Sequence, residues 1–301
     1  MKVTRLLTPL CALALVPGAA VGGVMVGGIA GAAPAAAATH PTLVAVTAIH
    51  QGAEDRVVFR FSGGLPANRS AQYVAHLVAD GSGKVIPVAG RAILQVSFRS
   101  AQAHDAQGST APARTAYRLP NAMLSVRSGD FEGVVTYGIG LAKRTQFHVT
   151  TLQNPSRVVV HIGAAFRTVP RKLWLFDRQA FVANTPPFFV PRMRPVLPGT
   201  PATALMDRLF AGALRLERSS GLSTLRSGTT GFVIRSIADG IARVQLTGTC
   251  SSGGSTVTIA GEIMPTLRQL GSVDWVKIYD QAGHTEHPLG HQDSIPACLE
   301  P

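Results

Sequence analysis

The sequence predicts a β-sandwich N-terminal domain followed by an α+β (α/β) C-terminal domain. Three observations carry this. Between Leu43 and Gly163 the apolar residues fall in short runs divided by Gly, Pro and Asn, with no helical periodicity of any length. Near Arg167–Arg171, around Pro170, the character changes, and helical spacing appears among the strands beyond it. The chain has 301 residues, room for about two ordinary domains. The predicted boundaries are 43–166 and 172–301.

The first strand runs over Leu43–Ile49. Next comes RVVFRFSGG (Arg56–Gly64), where Val57, Phe59 and Phe61 share a face and Arg56 and Arg60 point away. Tyr73–Ala79, Ile93–Phe98 and Met123–Arg127 are further strands, and Ala101–Thr115, polar and aperiodic, reads as a long surface loop. Phe131–Gly163 holds three strands, Val134–Ile139, Thr145–Leu152 and Arg157–Ile162. The last puts Val158, Val160 and Ile162 on one face and Arg157, Val159 and His161 on the other. Asn154-Pro155-Ser156 is a turn signal, because proline sets φ and asparagine tolerates unusual turn geometry. Gly138-Ile139-Gly140 reads as a strand running into a turn, with glycine permitting a tight bend.

In the second half, Leu173–Phe176 is a short apolar strand. Phe181–Pro201 carries so many prolines that it can hold only edge strand or extended loop. Ala202–Arg218 predicts a helix with Leu205, Leu209, Ala213 and Leu216 on its apolar face and Arg208 and Arg215 off it. Phe232–Ile237 and Ala242–Leu246 predict a hairpin across Asp239-Gly240. Ser255–Leu270 is a second helix despite Pro265, and Val273–Tyr279 a last strand.

The first residues belong to neither domain. Lys2 and Arg5, the apolar run Leu6–Val16 and the Ala-rich tract to Ala38 read as a secretory signal peptide over residues 1–38, the alternative being an uncleaved anchor across Val21–Ala33. Cys11 lies in this segment without a lipobox, so the exported chain keeps Cys250 and Cys298, most simply one disulfide. Without Lys2 and Arg5, 26 Lys and Arg face 16 Asp and Glu, a net charge of +10. Such an exported protein is drawn to anionic wall polymer, to lipid headgroups at a membrane surface or to acidic partners. A nucleic-acid partner is set aside, since export argues against it and no basic helix or aromatic-basic interleaving is present.

No catalytic constellation stands out. There is no G-x-S-x-G, no G-x-G-x-x-G before a helix and no phosphate loop. The tail holds His284, Glu286, His287, His291 and Asp293, ligand types for a metal-dependent hydrolase, but beside Pro288 and Gly290 and without HExxH spacing. The expectation is therefore a non-enzyme with no metal and no cofactor. The basic clusters are Lys143-Arg144, Arg167 with Arg171-Lys172, and Arg192 with Arg194. The ligand-binding candidates are Lys143, Arg144 and Arg157.

RVVFRFSGGLP, the AHD of the following loop and DFEGVVTYGIGLAKRTQFHVTTLQNPSRVVVHIG together resemble the AMIN-like domain of actinobacterial secreted proteins and lipoproteins, over roughly Leu43 to Phe166. The order of Leu173–Phe176, the helix with LFAGALRLERSSGL, the hairpin ending in VQL, the next helix and VDWVKIYD is similar to the GerMN (sporulation/germination) domain. Two departures stand out: Ala213 follows Gly212 where that family has Gly-Pro, and His161 stands where AMIN-like domains have Asp. The resemblance implies a non-catalytic envelope protein that binds peptidoglycan or an envelope protein partner, and it carries over no catalytic residue.

Overall fold

Residues whose side chains alternate between apolar and polar build the first half, and the computed structural model describes residues 40–301. The strands are β1 (Thr42–Gln51), β2 (Glu54–Ser62), β3 (Asn68–Val74), β4 (Leu77–Val78), β5 (Val85–Ile86), β6 (Ala92–Arg99), β7 (His104–Asp105), β8 (Gly108–Ser109), β9 (Arg114–Ala116), β10 (Ala122–Phe131), β11 (Val134–Leu141), β12 (Phe147–Leu152) and β13 (Arg157–Gly163). A four-stranded sheet of order β1-β2-β13-β12 faces a five-stranded sheet of order β3-β6-β11-β10-β9. Their inner faces share one core: Val57, Phe59, Val158, Val160 and Ile162 on the first meet Leu94, Val96, Phe98, Tyr137 and Ile139 on the second. Phe59 joins the sheets, with its ring 4.9 Å from Phe98 and 5.4 Å from Tyr137. This is the sandwich that the alternation of Arg56–Gly64 and Arg157–Ile162 predicts.

β11 departs from alternation, since every residue from Val135 to Leu141 is buried. Its outer face is covered by other parts of the chain. A Cβ on Gly138 would lie 2.6 Å from Leu77 Cδ2, and one on Gly140 would lie 2.2 Å from the Ala89 carbonyl oxygen. The glycines therefore admit close packing in mid-strand, and the expected tight bend at Gly138-Ile139-Gly140 is corrected. The segment Ala101–Thr115 is likewise more than surface loop: Ala101, Ala103 and Ala111 are buried in the sandwich core, and the segment contains the small hairpin β7–β8.

The second half contains β14 (Val169–Asp177), α1 (Arg178–Val182), β15 (Phe189–Val196), α2 (Pro201–Ala211), α3 (Arg215–Ser219), β16 (Leu222–Ser223), β17 (Thr229–Ala238), β18 (Ile241–Gly248), α4 (Ala260–Arg268) and β19 (Trp275–Tyr279). Its sheets are β15-β14-β16 and β17-β18-β19, with β19 parallel to β18 and α4 between them in the chain. Proline-bearing β15 is an edge strand, as its missing N–H donors require. Asp239 and Gly240, both at positive φ, turn the β17–β18 hairpin. Leu173, Leu205, Leu209, Val244, Ile263 and Val276 form its core.

Two helix expectations are corrected. The helix expected over Ala202–Arg218 ends at Ala211, because Gly212 takes φ 101°, and a separate turn, α3, follows. The helix expected over Ser255–Leu270 is confined to α4, its β-branched start Thr256–Ile259 lying outside. Arg208 lies off the apolar face by spacing, yet the fold encloses it. It is buried and donates to the Leu119 and Pro120 carbonyls, tying α2 to the sandwich.

Cys250 and Cys298 are disulfide-bonded across a separation of 48 residues, which holds the C-terminal tail on the second half. Lys277 of β19 reaches the same tail, donating to the His287 and Leu289 carbonyls. Among the described residues, no helix is long and apolar enough to cross a membrane. The expected signal peptide over residues 1–38 lies outside the described residues.

Candidate functional site

The β11–β12 loop carries Lys143 and Arg144, both exposed, and a buried polar network holds it still. Asp55 shares the inward parity of Val57 and Phe59 on β2 and is fully buried. Its Oδ2 accepts from the backbone N–H groups of Asn121 (2.6 Å) and Ala122 (2.7 Å), while Oδ1 pairs with His50. Asn121 then grips the loop. Its Oδ1 accepts from Lys143 N at 3.0 Å, and its Nδ2 donates to Thr145 Oγ1 and to the Gly163 carbonyl. From the far side, the Tyr73 hydroxyl donates to the Thr145 carbonyl at 2.6 Å and accepts from Thr145 N at 3.1 Å. These bonds hold the loop backbone at Lys143 and Thr145, so little backbone ordering is left to be done on binding.

On that loop the Arg144 guanidinium lies 4.5 Å from the centre of the Tyr73 ring, and the Lys143 ammonium 5.8 Å from that of Phe166. Arg144 and Tyr73 border a cleft of about 330 Å³ that also includes Val74, Gly90, Arg91 and Ile93. An arginine stacked on an aromatic ring beside such a cleft joins a flat apolar surface to a fixed cation. Arg157 is elsewhere. It begins β13, opposite Leu152 at the far end of β12. The structure brings Lys143 and Arg144 together and leaves Arg157 about 20 Å away, the length of six strand residues.

The remaining basic clusters fare differently. Arg194 is buried, with its guanidinium paired to Glu217 at 2.8 and 2.5 Å, so it offers no free charge beside Arg192. A cleft of about 380 Å³ lies between α4 and the C-terminus and is bordered by Glu286 and Glu300. Glu286 sits against Glu300 and pushes its carboxyl above the usual range, which marks the cleft as the wrong sign for an anionic polymer.

Metal-ligand geometry appears where the sequence did not direct attention. Glu54, His148 and His161, on the four-stranded sheet, can each offer one ligand atom within 4.8 Å of the others. Paired strands put the two imidazoles side by side, stacked with centroids 4.2 Å apart. Both nitrogens of His161 already have partners, Glu54 Oε2 at 3.0 Å and Thr150 Oγ1 at 2.9 Å. The hydrogen bond from His161, opposed by partial burial, holds the Glu54 carboxyl below its ordinary pKa. A metal would have to displace one of those partners. In the tail, Asp293 is ion-paired with Arg268 and accepts from Val276 N, and His284 and His287 face Asp280 and Glu286 respectively.

Tyr73 and the Asp55–Asn121 network escaped sequence reasoning. A signal existed for Asp55: a carboxylate on the apolar parity of an alternating strand is a charge aimed at the core.

Residues 41–164 match the model of the AMIN-like domain, so the sandwich is an AMIN-like domain. Comparison with curated proteins and with solved structures finds no match to this chain.

Proposed function

We propose that this chain is an exported, non-catalytic binding protein of the bacterial cell envelope, whose AMIN-like domain holds peptidoglycan through the Arg144–Tyr73 cleft. AMIN-like domains are associated with binding peptidoglycan and other envelope components, not with catalysis. The observation that carries the reading is Arg144, stacked on Tyr73 over a hydrogen-bonded loop beside an open cleft. Sugar rings present apolar C–H faces that suit an aromatic wall, and the peptide carboxylates of wall polymer suit a guanidinium. Lys143 and Arg144 at one end of β12 and Arg157 at the other suit an extended polymer better than a compact small molecule. The net charge supports attraction to the anionic wall and to membrane surface alike.

The order strand, helix, hairpin, helix, strand in residues 172–301 supports reading that half as a GerMN-like module that contacts other envelope proteins, with residues 1–38 as its export signal. Retention of the purified protein on isolated sacculi is the test. Binding above that of a charge-matched control protein, weakened at least fivefold by Arg144→Ala, is the expected result. Retention no better than the control overturns wall binding.

A further inference from the structure

A second basic site lies where the sandwich meets α2 and α3, formed by residues far apart in sequence. Arg114 of β9, Arg218 of α3 and Arg226, in the segment before β17, border one cleft of about 300 Å³. Arg114 and Arg226 also border an adjoining cleft of about 330 Å³, so they stand between the two. The guanidiniums of Arg114 and Arg226 lie side by side because both donate to one acceptor, the Phe210 carbonyl, at 3.0 and 2.6 Å. Arg218 donates to the Ala213 carbonyl at 2.6 Å. Among the described residues, none of the three is in an ion pair. The acid nearest in effect to Arg226 is Glu262, which is buried and already accepts from Phe176 N and Leu225 N.

Capping the C-terminal end of α2 accounts for only part of this. A helix C-terminus carries about half a negative charge, which one cation answers, and here three converge. Each guanidinium has five N–H donors, of which a single hydrogen bond within the protein is made by each of these arginines. Like charges held together with no counter-ion oppose one another: burial and the fields of Arg226 and Arg218 lower the Arg114 pKa to about 10, which still leaves it charged at neutral pH. A fourth group points the same way. Thr224 borders the cleft, and its hydroxyl is buried with no hydrogen-bond partner.

We propose that this cleft is a binding site for a phosphate group, monoester or diphosphate, with Arg114, Arg218 and Arg226 supplying the charge and Thr224 a hydroxyl donor. Three unpaired guanidiniums match the multiple charge of a phosphate better than the single charge of a carboxylate, and their planar forks suit its oxygens. The site stands apart from the Arg144–Tyr73 cleft and does not depend on the reading given to that cleft.

Isothermal titration of the purified protein with inorganic phosphate, pyrophosphate and acetate, at constant ionic strength, tests the assignment. Saturable binding of phosphate or pyrophosphate is expected, at least tenfold tighter than that of acetate. Arg226→Gln and Arg218→Gln should each weaken it tenfold or more, while Lys84→Gln, an exposed position outside the cleft, leaves it unchanged. Arg218 is exposed, so its variant keeps the fold, and matching thermal melts verify that. No saturable binding, acetate as tight as phosphate, or undiminished binding in the folded Arg218→Gln protein each overturns the proposal.

Discussion

Arg91, in the turn before β6, and Asp207, on α2, meet across the junction of the sandwich with the second half: Arg91 Nε donates to Asp207 Oδ2 at 2.8 Å, and Nη2 reaches Oδ1. The carboxylate is nearly buried, at 4% exposure, and the guanidinium half exposed, at 49%. That asymmetry decides which partner matters more. Arg91→Ala strands a buried carboxylate and is expected to cost about 2–3 kcal/mol, the lower end for a buried pair because the arginine side is solvated. Asp207→Ala returns a half-exposed arginine to water and is expected to cost about 1 kcal/mol. Urea unfolding of the two variants checks the order.

The same pair has a pH signature. Burial pushes the Asp207 carboxyl above its ordinary range, against the pull of Arg91, Arg208 and the Gly90 N–H. The folded state therefore holds its proton more tightly than the unfolded chain does. Stability from this group is greatest below the unfolded carboxylate pKa and is lost as pH rises through the folded value. Arg91→Ala removes the pull, so the loss should steepen. Unfolding free energies of wild type and Arg91→Ala between pH 4.5 and 8 should diverge as pH rises, and parallel curves would contradict the argument.

Glu262 has one oxygen on Phe176 N at 3.1 Å and the other on Leu225 N at 3.0 Å, bridging β14 and the segment before β17 from inside α4. Glu262→Ala leaves one buried and one partly buried N–H donor without acceptors and should cost about 2–4 kcal/mol, read as a fall in the urea midpoint at unchanged slope. Burial also raises the Glu262 carboxyl well above its ordinary pKa, so its contribution likewise falls as pH rises. Glu262→Gln should flatten that part of the profile.

Asn121 couples the core to the candidate site. Asn121→Ala removes the acceptor for Lys143 N and the donor to Thr145 Oγ1, and should cost about 1–3 kcal/mol in stability. It should also weaken sacculus binding by loosening the loop while Arg144 remains. Equal binding by Asn121→Ala and wild type, with the stability loss present, would separate the loop's rigidity from recognition.

Opening the Cys250–Cys298 bridge restores freedom to a loop of 48 residues, worth up to about 4 kcal/mol by chain entropy. Cys250→Ser with Cys298→Ser should lower the thermal midpoint, and reductant should do the same to wild type while leaving the double variant unaffected.

What could be read from the residues alone was whatever a single strand or turn states locally. The parity of Val57, Phe59 and Phe61, or of Val158, Val160 and Ile162, is imposed by the two-residue repeat of an extended chain with one buried face, and it places the inner surface of the four-stranded sheet. The Asp239-Gly240 hairpin and the proline-bearing edge strand β15 are local in the same sense. Lys143 and Arg144 were visible because a basic pair in a short loop has nowhere to be but the surface.

Only the tertiary structure decided which polar residues face inward and which charges stay unpaired. Arg208 sits off the apolar face of its helix by spacing, yet it is buried because the Leu119 and Pro120 carbonyls lie there to receive it. Tyr73 became a site residue only when β3 brought it against Thr145, 72 positions away. Arg114, Arg218 and Arg226 became a site only when the sandwich met α2 and α3. Such contacts depend on where the chain returns to itself, and no local pattern of residues records that.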